Sequence, residues 1–460
     1  MKKIPIWVVI STIIAIVFAI LGALISINRF YQFDTFYYDF GIFDQVIWKV
    51  AHFTAPIIDH HNVGGNWIFG DHFNPAIFLL SPLYWFTSKQ EIIFIAQAAI
   101  SSLAGLVLFF AARKSTRSNF LGLIIQICFY LFAGLQNAII TDFHEVTIAT
   151  LPLSLMIYAI VTDNKKLYAY STVWFMLHKE SSFLIASGLN FYIFVKKIQW
   201  RKFITFIGFA CIGYSYLAMK VFIPYFSGNF QYNVLVGKTV SSAIMNLYLP
   251  SIKINTVMDS FASFSYTAIF TPMLWPTYFL HYAARFLSEA GTRWDIGMHY
   301  NAEIAPIYAF SMMLFFQKLS KLNFKYPAIL ALLFFFIAFY MNYFKLKRPF
   351  FMGVNRALYD ASARTVPIRQ FLASLPDGPI IMTQNTLAAQ LDHKNIRLLR
   401  DDYTAYDPDY ILFDTNPDQN GNNWFGLKDK DKFIAKIISD PTYYLSKQIS
   451  SYQFYARKGL

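Results

Sequence analysis

Long apolar stretches free of charged residues recur from Ile4 to about residue 345 and then stop. A bilayer core about 30 Å thick is crossed by roughly 20 apolar helical residues, so this pattern predicts a polytopic α-helical membrane protein. Spans are expected near 5–27, 91–112, 119–139, 146–161, 167–179, 181–195, 202–222, 257–272, 275–288, 302–317 and 326–344, about 11 in all. Several are short, which suggests bent or partly immersed helices. The first stretch follows Met1, Lys2 and Lys3, but it is far longer than the apolar region of a signal peptide and no small-residue cleavage site follows it. It reads as an uncleaved helix.

The segments between spans carry their own patterns. In a first outer loop, 28–90, apolar residues at 40, 43, 46, 47, 50 and 51 keep helical spacing, which predicts a helix over Phe40–Phe53 lying on the membrane surface. Residues 73–86 are apolar but contain Pro75 and Pro82, as a re-entrant or interfacial piece would, and a full crossing there stays open. A second outer loop, 223–256, holds Gly228, Asn229, Asn233, Gly237, Lys238 and Asn255 and is polar enough to act as a lid. Pro272 and Pro276 mark a tight turn between two short helices.

After Phe344 the apolar runs shrink to strand length. An amphipathic helix is expected over 358–375, a turn at Pro376 to Gly378, a strand at Pro379–Thr383, a short helix at Asn385–Leu391 and a strand at Tyr410–Asp414. Strand and helix alternate, so the expected architecture is a transmembrane domain over 1–345 followed by a small extracytoplasmic α/β domain over 346–460.

Basic clusters set the orientation. Lys2/Lys3, Arg113/Lys114/Arg117, Lys165/Lys166, Lys196/Lys197/Arg201/Lys202 and Lys318/Lys321/Lys325 all fall on one side if that side is the cytoplasm. The N-terminus is then cytoplasmic and the C-terminal domain extracytoplasmic, in a multi-pass protein of the cell membrane. The net charge of +13 becomes a membrane anchor, with no nucleic-acid partner implied. Of the acids ahead of residue 346, only Asp163 lies inside. Cys128 and Cys211 both sit in apolar stretches and read as lipid-facing or packed small hydrophobes.

With 56% hydrophobic and 14% charged residues, the chain has few carboxylates to place, and those within apolar sequence stand out. Asp39 and Asp44 lie on the proposed surface helix, where one could accept a proton from an attacking hydroxyl; helix capping by Asp39 and solvation of Asp44 is the plainer account. Asp71 and His72 could bind a phosphate or a cation, or simply form a turn. Asp59, His60 and His61 give a weaker signal of the same kind. Asp142, His144 and Glu145 could ligate a divalent metal or pair with a basic residue. Lys179 could hold a phosphate or be neutralised by Glu180. Arg285 suits a phosphate through its planar fork, or snorkels to the interface. No Walker A, Gly-x-Ser-x-Gly, His-Glu-x-x-His or Cys-x-x-Cys motif occurs.

Taken in order, Asp39 to Gln45, Gly70 to Pro75, Phe143 to Glu145, Lys179-Glu180 and His299-Tyr300 resemble the family of predicted membrane proteins known as domain of unknown function 2079. The resemblance extends through Leu375 to Gly378 and Phe413-Asp414. That family is similar to the C-type glycosyltransferase (GT-C) superfamily, which implies a GT-C-like helical fold and a polyprenyl-phosphate sugar donor. It further implies a catalytic carboxylate in the first outer loop, Asp39 or Asp44. His72, Lys179 or Arg285 would face the lipid phosphate. His299 and Tyr300 join them as substrate-binding candidates, supported by Asp71, His144, Glu145 and Glu180. The superfamily's motif often pairs Asp with an adjacent acid, whereas Phe40 follows Asp39 and Gln45 follows Asp44, so the choice of carboxylate stays open.

The expected function is therefore a membrane glycosyltransferase moving a sugar from a polyprenyl-phosphate donor to an extracytoplasmic acceptor, with a membrane lipid as partner. A divalent metal held among Asp71, His72, Asp142 and His144 is a further option. A transporter or flippase for a lipid-linked or anionic solute is the alternative, although no repeated halves with matching broken helices are visible.

Overall fold

The computed structural model describes residues 5–61, 64–228, 239–288, 290–347 and 349–460. Lys2, Lys3, Glu289 and four residues of the second outer loop (Asn229, Asn233, Gly237 and Lys238) lie outside the described residues. The chain is mostly helical, with one five-stranded sheet near its C-terminus.

Among the described residues, five helices are long and apolar enough to cross a membrane: Ile6–Tyr31, Glu91–Thr116, Glu145–Thr162, Ile198–Ser227 and Pro327–Lys345. A sixth span results if Asn119–Tyr130 and Ala133–Ile140, bent by 53°, count as one. The bend leaves backbone carbonyls without helical partners, and side chains replace them. Gln136 Nε2 donates to Tyr130 O at 2.9 Å and Asn342 Nδ2 to Leu131 O at 2.8 Å.

The remaining expected spans carry helices that are shorter. Lys165–Met176, Ile252–Ser263 and Trp275–Phe286 have 12 residues each, Phe183–Lys196 has 14 and Ala305–Lys321 has 17. At about 1.5 Å per residue they reach only ~18–26 Å, so five or six spans, and not 11, meet the length of a crossing. Part of the expected second outer loop is helical too, at Val240–Tyr248, where Thr239 and Ser242 form a reciprocal cap. Pro75–Trp85 is a 3₁₀ helix containing Pro82; 11 residues at about 2.0 Å each span only ~22 Å.

Two compact units are present. The first comprises Met1–Leu24, Phe69–Ile77 and Ile95–Val354. At its centre, Ala305–Lys321 is buried without a break from Ala305 to Met313, as a helix that is apolar all round should be. Tyr308 is fully buried there and stacks on Phe264 at 5.1 Å. Helices Phe183–Lys196 and Trp275–Phe286 approach very closely at Gly188, where an added Cβ would lie 2.4 Å from Thr277 Cα. Small residues permit such backbone contact between membrane helices. Cys128 and Cys211 are both buried and act as packed small hydrophobes.

The second unit comprises Ile25–Ile68, Phe78–Phe94 and Asn355–Leu460. It contains the expected loop helix, Tyr37–Ala51, but with a different environment. Every residue from Phe40 to Ile47 is buried, and Phe40 stacks on Phe94 at 5.0 Å. Protein covers this helix on all sides from Phe40 to Ile47, where the spacing predicts covering of one apolar face alone.

The expected amphipathic helix over 358–375 is two helices, Arg356–Arg364 and Val366–Ala373, divided at Thr365. Pro367 follows that break and lacks the N–H needed to continue the ladder. In the sheet, Ile381–Thr383 runs parallel to both Ile396–Leu398 and Tyr410–Asp414. The hairpin Tyr443–Ile449/Tyr452–Arg457 adds antiparallel to Tyr410–Asp414. Met382, Ile411, Phe413, Tyr455 and the helix residues Phe433 and Ile437 form the core beneath it.

Because Thr277 backbone occupies the space a side chain at Gly188 would need, Gly188→Ala should destabilise the protein by about 1–3 kcal/mol. Thermal unfolding of the detergent-solubilised chain would show this, and an unchanged melting temperature would contradict the close approach.

Candidate functional site

Within the transmembrane unit, a cavity of about 430 Å³ gathers residues from well-separated stretches of chain, among them His72, Val146, the turn Lys179–Ser181, Arg285, and the turn bearing Tyr300 and Glu303. Phe183, Leu184, Ile185, Met219, Leu280 and Leu287 supply apolar wall. Of the residues singled out in the sequence, His72, Lys179, Glu180, Arg285 and Tyr300 all line this one space.

Glu145 and Glu180 are buried, at 1% and 3% exposure, and each is matched to a cation from elsewhere in the chain. Lys179 Nζ meets Glu145 Oε1 at 2.7 Å, and His72 Nδ1 meets Glu180 Oε1 at 2.9 Å. The backbone N–H of Phe73 also donates to Glu180 Oε2, at 3.3 Å. Lys179 is thus paired with Glu145 and not with its neighbour Glu180, and one nitrogen of His72 is already committed to a carboxylate. Burial works against the charged imidazole of His72, and Lys179 adds to that. Glu180 and Asp71 outweigh both, so its pKa lies above the ordinary 6.5. Burial likewise opposes the Glu180 carboxylate, but His72 and Lys179 hold its pKa below the ordinary 4.5.

Arg285 is differently placed. It sits at the end of Trp275–Phe286, 6% exposed, and its contacts are neutral. Its Nε donates to Arg293 O at 2.9 Å and its Nη1 to Asn301 Oδ1 at 2.8 Å, with His281 Nε2 at 3.2 Å. Its Nη2 is buried without a hydrogen-bond partner. A buried cationic donor left unsatisfied is costly, so this group is suited to bind an anionic oxygen. Its guanidinium is packed inside the fold.

Asp142, His144 and His299, in the same unit, are not part of the cavity lining. The rings of His144 and His299 stack at 3.4 Å, and the N–H of His144 donates to Gln97 Oε1 at 3.0 Å. His144 Nδ1 lies 3.0 Å from Asp142 O. Asp71, His72, Asp142 and His144 do not make a metal centre: among the described residues no three His, Cys, Asp or Glu side chains group as a metal ion requires. His72 is turned to Glu180 and His144 lies against His299. Asn74, in the same segment as His72, is fully buried with both amide atoms unpartnered.

Asp39 and Asp44 belong to the second unit. Asp44 is fully buried and its oxygens are taken: Tyr84 OH donates to Oδ1, Gln90 Nε2 donates to Oδ2 at 2.6 Å, and His393 Nε2 lies 3.0 Å from Oδ2. A carboxylate so engaged ties the loop helix to its neighbours and is poorly placed to act as a base. Asp39 is exposed in the first turn of Tyr37–Ala51, where its charge favours the helix N-terminus. Asp59 accepts from Gln45 at 2.6 Å and pairs with Lys49 at 3.0 Å, while the His61 ring stacks on Tyr38 at 4.1 Å, so this short run is structural.

Two further residues of the cavity wall, Glu303 and His281, belong to none of the motifs that marked the other candidates. His281 stands one helical turn before Arg285, and Glu303 follows His299-Tyr300 closely, so spacing from those candidates is the signal that could have found them.

Removing one partner of a buried ion pair strands the other charge, so Glu145→Ala should cost about 3–5 kcal/mol, and the double change Glu145→Gln/Lys179→Met distinctly less. Melting temperatures of the three proteins would decide this. For His72, a raised folded pKa means that its contribution is complete below pH 6.5 and is lost as pH rises through the folded value; the lowered pKa of Glu180 means that its own is present above 4.5 and lost as pH falls. The stability gap between the natural protein and His72→Gln should therefore be widest between pH 4.5 and 6.5 and close towards alkaline pH. A gap independent of pH would count against the charged pair.

No curated protein matches the chain. A family model does, over residues 29–453. With that match covering nearly all of its length, the chain belongs to the DUF2079 family of predicted membrane proteins.

Proposed function

We propose that this protein is a membrane glycosyltransferase that takes a sugar from a polyprenyl-phosphate donor and passes it to a hydroxyl-bearing acceptor on the extracytoplasmic side. The observation that carries this reading is the buried, unpaired Nη2 of Arg285 in a cavity whose other wall is apolar. An isoprenoid phosphate has the matching division, an anionic head on a hydrocarbon chain. Arg285 would bind the phosphate, with Lys179 and Tyr300 beside it, and the apolar side chains would take the first part of the lipid.

In the reaction, an acceptor oxygen attacks the anomeric carbon and forms the new glycosidic bond. The bond from that carbon to the phosphate oxygen breaks, and the isoprenoid phosphate leaves with the electron pair. The acceptor proton passes to a carboxylate. Within the cavity Glu303 suits that role. Fixed positive charge at the leaving phosphate would stabilise the transition state.

Transport of a lipid-linked or anionic solute is the second reading. It is favoured by the buried pairs Lys179–Glu145 and His72–Glu180, because ionisable groups inside helical bundles are also used as relays.

Membranes supplied with polyprenyl-phosphate sugar and acceptor should form product, and Arg285→Lys should slow transfer at least about tenfold, since a lysine keeps the charge but loses the fork. Glu303→Gln should abolish it. A chemically unchanged donor that only changes sidedness across the vesicle would support transport and sink the transferase reading.

A further inference from the structure

The second unit contains its own cavity, of about 320 Å³, lined among others by Phe33, Asp34, Asp414, Gln419, Asn423 and Tyr452. We infer that this cavity is a binding site for a neutral, polyhydroxylated ligand, a sugar unit. The inference stands independently of the transferase reading, since it concerns a different unit and a binding event with no donor.

Charge narrows the ligand class first. No lysine, arginine or histidine lines the cavity among the described residues, so nothing there would hold a phosphate or carboxylate. Of its two acids, Asp34 is already paired with Arg29 at 2.8 Å, which weakens the case for a cationic ligand. Asp414 accepts the N–H of Asn416 at 2.9 Å through Oδ1.

The amides supply the second constraint. Gln419 is saturated: its Nε2 donates to Asp414 O and Asn416 O at 2.7 and 2.8 Å, and its Oε1 accepts from Asn423 Nδ2 at 2.9 Å. That last bond fixes which end of the Asn423 amide is which, because a flipped amide would set two oxygens against each other. Asn423 is 8% exposed and its Oδ1 is buried with no partner. A buried acceptor in this state calls for a donor, and a hydroxyl is one.

Aromatic rings supply the third. Phe33 and Tyr452 hold their ring centroids 6.0 Å apart beside these polar groups. Phe33 does so at φ 60°, a backbone region that residues other than glycine rarely adopt. A pyranose has an apolar C–H face and an equatorial rim of hydroxyls, so it meets aromatic faces and amide or carboxylate acceptors at once. The volume is at the small end of the ~300–1,000 Å³ typical of ligand sites.

The test is equilibrium binding of uncharged D-glucose, D-mannose, D-galactose and N-acetyl-D-glucosamine to the full-length protein in nanodiscs, with methylammonium and calcium ions as cationic probes. Saturable binding of at least one sugar is expected, weakened at least about tenfold by Asp414→Ala and by Asn423→Ala. Asp34→Ala, on a side chain 47% exposed, removes the cavity's other acid and should also weaken binding. Absence of saturable sugar binding would overturn the inference, as would binding unchanged in these variants or tighter binding of either cation. None of those failures would touch the transferase reading, which is measured by product formation.

Discussion

Two buried carboxylates, Glu145 and Glu180, constrain the transmembrane unit through the cations that they require. The effective desolvation cost of each ion is several kcal/mol, and only a matched cation with good geometry offsets it. Here the cations come from distant sequence: Lys179 for Glu145, and His72 for Glu180. The segment around residue 72, the start of Glu145–Thr162 and the turn at 179–180 are therefore held together by electrostatics as well as packing. Any rearrangement that parted them would leave a charge buried alone.

That constraint explains why the chain tolerates short helices. Lys165–Met176 ends just before Lys179, Phe183–Lys196 begins just after Glu180, and Trp275–Phe286 closes with Arg285. Helices of 12 and 14 residues fall short of a full span, and the turn Lys179–Ser181 that joins two of them lines the cavity. Irregular backbone inside a helical membrane protein is tolerated where it is buried in protein or lines a cavity. The close contact at Gly188 then brings the helix bearing Arg285 against the helix that follows Glu180. Short helices, the glycine contact and the paired charges are three aspects of one arrangement, and the cavity is its product.

Much of the helical plan was legible because a lipid-facing or core helix needs an uninterrupted apolar run, and such runs are visible without a structure. Tyr410–Asp414 and Ile381–Thr383 were legible for the same reason, being buried strands of apolar residues. The hairpin Tyr443–Ile449/Tyr452–Arg457 was not, because its first strand is largely exposed and reads as polar chain with Ser446, Lys447 and Gln448 at its centre. The loop helix was found in place but with the wrong surroundings. A period of 3.6 locates one apolar face, whereas Asp44 and Gln45 are buried by specific partners that periodicity does not reveal.

Composition and spacing by themselves determined that the protein is helical and membrane-embedded, that it ends in an α/β segment, and that its rare acids and cations inside apolar sequence stood out as candidates. These are properties of local sequence and of transfer between water and lipid. Only the tertiary structure decided which charges meet. It joined Lys179 to Glu145 in preference to the adjacent Glu180, enclosed Asp44 with Tyr84, Gln90 and His393, and left Arg285 with an unsatisfied donor at a cavity. Pairing depends on distances of about 3 Å between side chains far apart in the chain, and no one-dimensional pattern encodes such a distance.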